Sequence, residues 1–182
     1  MAITASSSNT RGVADLEGSI MRKVMIVIGI VLLASLGATS ALAGQHKRTF
    51  VAPLSGAEEV PAVDTLARGQ AVFQLNKDET ELSFRLIVAN IENITMAHIH
   101  VAPAGANGPV VVWLYPEAPP PQLIEGQFNG ILATGVITDD HLVGQLEDES
   151  LADLVELIRA GNTYVNVHTS QHMGGEVRGQ IR

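Results

Sequence analysis

The sequence predicts an all-β domain, an antiparallel sandwich or barrel with one short helix near residues 150–160. Three features point there. Apolar and polar residues alternate with a period of two along many short runs, turn signals such as "NKDET", "GANGP" and "PEAPPPQ" separate several of them, and 17 glycines accompany an aromatic content of only 4%.

Each element follows from its local pattern. In "ELSFRLIVA" the residues Leu82, Phe84, Leu86 and Val88 share one face and Ser83 and Arg85 the other, as a half-buried strand requires. Comparable strands are expected over Thr49–Leu54, Gly69–Leu75, Ala97–Val101, Val110–Leu114, Thr163–His168 and Gly175–Ile181, and Gly126–Thr138 reads as a broken strand. The helix is "SLADLVELIRAG": Leu151, Leu154, Val155 and Ile158 recur at helical spacing, Ser150 stands as N-cap with Asp153 three residues on, and Gly161 follows the end.

Residues 1–43 belong to a different class. "MRKVMIVIGIVLLASLGATSALA" has a basic start at Arg22 and Lys23, an apolar run to about Leu36 and an Ala-x-Ala ending at Ala43. That is the pattern of a secretory signal peptide, with an apolar run shorter than the roughly 18–20 residues of a membrane span. Met21 is a candidate initiator, because residues 1–20 are polar and aperiodic. The expected organisation is an N-terminal extension with signal peptide over 1–43 and one domain over 44–182, secreted or periplasmic, with no stable membrane anchor once the signal is cleaved.

The chain of 182 residues carries a net charge of -8 and no cysteine. An acidic chain without a basic stripe or an aromatic stacking cluster is not expected to bind nucleic acid. Without thiols there is no disulfide and no thiolate zinc site, so stability must come from core burial, with bound metal as an optional addition.

Histidines carry the chemistry. Along "AHIHV", His98 and His100 share a strand face opposite the aliphatic Ala97, Ile99 and Val101, about 6–7 Å apart, a separation that a metal with bonds of roughly 2 Å to nitrogen can bridge. In "YVNVHTSQHMGGEVRGQ", Val165 and Val167 face the core, Tyr164, Asn166 and His168 face outward, and His172 lies in the following turn. If that turn joins antiparallel strands so that His168 opposes Glu176, then Asn166 opposes Arg178, and His168, Glu176 and Arg178 line one polar patch. His98, His100, His168 and His172 are therefore the expected metal ligands. A set of nitrogens with no carboxylate in the same motifs favours copper over zinc, and Met96 and Met173 flank the two groups. The alternative is a hydrogen-bonded surface pair, and His46 and His141 read as single exposed histidines without a role.

Other chemistries lack their motifs. Ser170 lies near His168 and His172, but there is no nucleophile elbow or oxyanion-hole pattern. "PAGANGP" lacks a phosphate-loop lysine and reads as a turn. Glu58 and Glu59, being adjacent, point to opposite faces and read as loop-surface groups or as support behind a site.

Three stretches, "LSGAEEVPAV", "AHIHVAPAGANGPVVVWL" and "GNTYVNVHTSQHMGGEVRGQI", occur in an order that resembles the CHRD domain family, named for the repeats of chordin. The histidine placement has a more distant likeness to copper-zinc superoxide dismutases, which hold copper on the outside of a Greek-key β-sandwich. By that likeness the fold is a Greek-key sandwich, superoxide dismutase-like or immunoglobulin-like. His98 and His100 correspond to the His-x-His pair, His168 to a later ligand, and Arg178 to the arginine that guides the superoxide anion. The zinc cluster, bridging histidine and disulfide have no counterpart, which implies a copper-only site. The resulting expectation is an exported copper-binding domain acting in copper handling or as a superoxide dismutase-like enzyme. Chordin's repeats imply the alternative, a non-enzymatic extracellular interaction or structural module with a protein partner.

Overall fold

The computed structural model describes residues 47–182; the signal-peptide and initiator assignments lie outside them. Seven strands and one helix follow in order: β1 (Thr49–Ser55), β2 (Arg68–Leu75), β3 (Leu82–Val101), β4 (Val110–Tyr115), β5 (Ile124–Ile137), α1 (Leu151–Arg159), β6 (Thr163–Thr169) and β7 (Val177–Gln180). All the strand pairings are antiparallel.

The strands close into a ring, and this corrects the expected Greek-key sandwich. β1 pairs with β2, β2 with β3, β3 with β6, β6 with β7, and β7 returns to β1 through Ser55 opposite Arg178. Val51 and Arg182 extend that last seam by exchanging two backbone hydrogen bonds. The result is a five-stranded barrel, with β4 and β5 added to opposite halves of β3. The physical cause is the length of β3. The sequence pattern suggests two strands there, but a single 20-residue strand runs through both. Its first half pairs with β2 and β5 and its second with β6 and β4, so one element joins two sheets that a sandwich would keep apart.

β3 bends without breaking because it carries register shifts between Val88 and Ile91 and between Glu92 and Ile94. Asn90 and Asn93 take positive φ there, a conformation asparagine tolerates better than most residues. Their unpaired groups find partners across the gap: the Asn90 amide donates to the Asn129 side chain, and Asn93 Oδ1 accepts from the Gly126 amide. β5 is likewise continuous where a break was expected, with Gly126 and Gly130 at positive φ.

The core is aliphatic and lies inside the ring. Leu82, Leu86, Val88, Ala97 and Ile99 of β3 meet Phe50 and Phe73 of β1 and β2 and Val165 and Val167 of β6. α1 adds Leu151, Leu154, Val155 and Ile158, the four residues its periodicity marks, and its capping box of Ser150 and Asp153 forms as expected. Among the described residues no helix is long and apolar enough to cross a membrane.

Candidate metal site

β6 lies between β3 and β7, and its register decides which outward residues become neighbours. His98 stands opposite Asn166 and His100 opposite Tyr164, while Met96 stands opposite His168. Across the next seam Asn166 stands opposite Arg178, the pairing expected from the sequence. One row therefore reads Trp113, His98, Asn166, Arg178 from β4 to β7.

The three histidines converge. One ring nitrogen from each of His98, His100 and His168 lies within 4.8 Å of the others. His98 Nδ1 and His168 Nε2 are 3.1 Å apart, the spacing of two ligands on one ion bonded at about 2 Å to each. Nitrogens on a common metal lie within about 4 Å of each other, so a set spread over up to 4.8 Å contracts as it closes on an ion.

Backbone carbonyls fix two of the tautomers. His100 Nδ1 donates to the Gly108 carbonyl and His168 Nδ1 to the Met173 carbonyl, each at 2.9 Å. A carbonyl only accepts, so each bond places the proton on Nδ1 and makes Nε2 an acceptor; that of His168 takes a hydrogen bond from His98 Nδ1, while that of His100 has no partner. The carbonyl bonds are the outer support that metal-bound imidazoles ordinarily receive. The Nε2 atoms of both His98 and His100 are buried and have no hydrogen-bond partner, an uncommon and costly state for a polar atom. Asn166 Oδ1, between them and β7, and Glu59 Oε1 are in the same condition.

Facing away from the core does not expose these rings. His98, His100 and His168 are 2%, 7% and 6% exposed. Trp113 meets His98 edge-on at 4.2 Å, and Tyr164 stacks on His100 at 4.8 Å with only 9° between the planes. The loop carrying Gly108 and the turn carrying Met173 supply the two carbonyls. Burial disfavours the imidazolium form, so the rings are held neutral: His98 is pushed down to about 3 by desolvation and then by His168 and His100. His168 is pushed down to about 4 by burial, against its bond to Met173 and with His100 adding to the fall. His100 is lowered by burial, with the Gly108 bond and Asn166 opposing and Arg178 assisting. A neutral imidazole is the metal-binding form.

The other two predicted site residues do not join the converging nitrogens. His172 is outside the cluster: its backbone shapes the turn, and it borders an open polar pocket with Glu92 and Glu176. Its chain position carries it past the end of β6, where the turn leaves the sheet. Arg178 is 1% exposed and does not face solvent. Its guanidinium donates to Asn107 Oδ1 at 3.0 Å and the Ala106 carbonyl at 2.7 Å, with a longer bond of 3.4 Å to the Pro103 carbonyl, and Cζ lies 3.4 Å from the centre of the Tyr164 ring. Glu176 accepts from Thr65 and Thr169.

Three contributors were not assigned from sequence. Tyr164 and Asn166 share the outward face with His168, and that alternation was the available signal. Glu59, read from sequence as a loop-surface group or as support behind a site, is buried beneath Gly175, where an added Cβ would meet Glu59 Oε1 and Asn166 Nδ2. Desolvation raises its carboxyl to about 7, against the pull of Arg178 and a hydrogen bond from the Val60 amide.

A small all-β barrel with a roofed three-histidine cluster is the class that fold and site define. Residues 50–181 match the family model of the CHRD domain, and the chain belongs to that family. No curated protein and no solved structure matches it.

Proposed function

We propose that this CHRD domain is exported and binds a single copper ion through His98, His100 and His168. The observation that carries the reading is the convergence of three buried, neutral imidazoles, two of them held at Nδ1 by backbone carbonyls and two, His98 and His100, with an Nε2 that lacks any partner. Three nitrogens without carboxylate or thiolate suit copper better than calcium or magnesium and favour it over zinc by the usual affinity order. When bound, copper would supply one-electron redox chemistry. The chain's own residues hold the rings, fix their tautomers and exclude water.

Within this reading, copper handling is favoured over superoxide dismutation. The charge of -8 repels superoxide, and Arg178, the arginine beside the site among the described residues, is buried and bonded to loop acceptors instead of facing an entry path. The likeness to copper-zinc superoxide dismutase supports the ligand assignment through His98, His100 and His168 alone.

Metal analysis of the purified chain and thermal melting with and without copper test the proposal. Copper at a hundred times its dissociation constant stabilises the native state by about 2.7 kcal/mol, and the double variant His98→Ala, His168→Ala abolishes that shift. A parent protein whose melting ignores copper rules the reading out. The second reading, an extracellular interaction module, draws on β5, which pairs only with β3 and leaves Ile131 and Val136 half exposed. Such an apolar outer face suits a protein partner.

A further inference from the structure

Arg178 is a buried cation with no carboxylate bonded to it, and the buried acid that feels its charge, Glu59, is pushed up to about 7 by desolvation and so is mostly neutral at pH 6. Among the described residues it makes no ion pair within 4.0 Å, and its hydrogen-bond partners are the Asn107 side chain and two loop carbonyls, all neutral. Burying a charge without an ion-pair partner is costly, so its place here needs a physical reason. Two features of its surroundings supply one. Tyr164 lies between Arg178 and His100, with the guanidinium 3.4 Å from its ring centre on one side and the His100 ring stacked on it on the other. The loop that Arg178 grips at residues 103, 106 and 107 is also the loop whose Gly108 carbonyl holds His100 Nδ1, and Gly108 N donates to the Tyr164 hydroxyl.

We propose that Arg178 is a positioning residue: it fixes the orientation and tautomer of His100, and its uncompensated charge makes the three-histidine site prefer the singly charged cuprous ion over doubly charged ions. The second half rests on the copper reading above; the first stands on the metal-free protein. The three ligands are neutral, so the whole charge of a bound ion remains in a site from which solvent is excluded. An additional fixed positive charge nearby then penalises a divalent ion about twice as much as a monovalent one.

The test uses the full chain and three variants. Arg178→Gln removes both the charge and the fork, Arg178→Lys keeps the charge and loses the fork, and Asn107→Asp places a carboxylate against an intact guanidinium. Affinities for Cu(I) and Cu(II) are read by competition with chelators at pH 6, and the His100 tautomer by 15N NMR without metal. The parent prefers Cu(I). Arg178→Gln and Asn107→Asp each reduce the ratio of Cu(I) to Cu(II) affinity by about tenfold, whereas Arg178→Lys leaves the ratio unchanged and weakens both ions. Arg178→Gln also loses the Nδ1-protonated His100 signal. Asn107→Asp changes an exposed residue, so it remains informative if the Arg178 variants do not fold. A parent that binds copper with an unchanged ratio in Asn107→Asp and Arg178→Gln overturns the charge role alone. A parent that binds neither ion removes the copper reading and the cuprous preference together, while an unchanged tautomer in Arg178→Gln overturns the positioning role.

Discussion

The two halves of β3 obey the same alternation and reach opposite ends. In the first half Leu82, Leu86 and Val88 enter the core, and Ser83, Arg85 and Ile87 between them are exposed. In the second half Ala97 and Ile99 enter the core, yet His98 and His100, which alternate with them, are buried too. Alternation fixes which side of a sheet a residue takes, because it comes from the pleat. It does not fix whether that side is wet. Over the second half, Trp113, Tyr164 and two carbonyl-bearing loops form a cover, and a surface face becomes a second, polar interior.

Acid should separate the halves most strongly. The imidazoles of His98 and His168 have folded values of about 3 and 4, below the 6.5 of an unperturbed ring, so the unfolded chain takes up protons first. Their contribution is complete above about pH 6.5 and lost as pH falls towards 3–4, a change on the order of several kcal/mol for the metal-free protein. Glu59 acts in the opposite sense: its raised carboxyl favours the folded state below about 4.5, and that help fades as pH rises through about 7. Urea midpoints at pH 7, 5.5 and 4 should therefore fall slowly at first and steeply below about 4.5, and Glu59→Gln should steepen the early part. A flat profile would mean that the cover admits water.

Breaking the cover directly is the next largest effect. A Cβ on Gly108 would lie 1.9 Å from the Val101 carbonyl oxygen, so Gly108→Ala must displace the loop and the acceptor of His100. Destabilisation of about 2 kcal/mol is expected, together with loss of the His100 Nδ1–H signal in NMR. The control in the open half is Ser83→Ala, whose exposed side chain bonds one backbone carbonyl. Its unfolding free energy should stay within about 0.5 kcal/mol of the parent.

What the sequence makes legible follows this division. The strands, the helix with its caps, the sides taken by His98, His100 and His168, and the opposition of Asn166 to Arg178 all depend on local period and turn length. The closed ring does not, because it depends on β3 staying continuous through two asparagines at positive φ, residues that also read as turn formers. The burial of Arg178 and Glu59 and the exclusion of His172 are set by loops 56–67, 102–109 and 170–175. Their paths are decided by partners far away in the chain.

His98 and His168 touch across a separation of 70 residues in a chain with no cysteine. Any ion gripping both would act as a removable staple, closing a loop of that length and withdrawing about 4 kcal/mol of chain entropy from the denatured ensemble, as a cross-link does. Unlike a sulfur bridge, it could be fastened or released by the supply of metal, so the lifetime of the folded domain would become a readout of that supply.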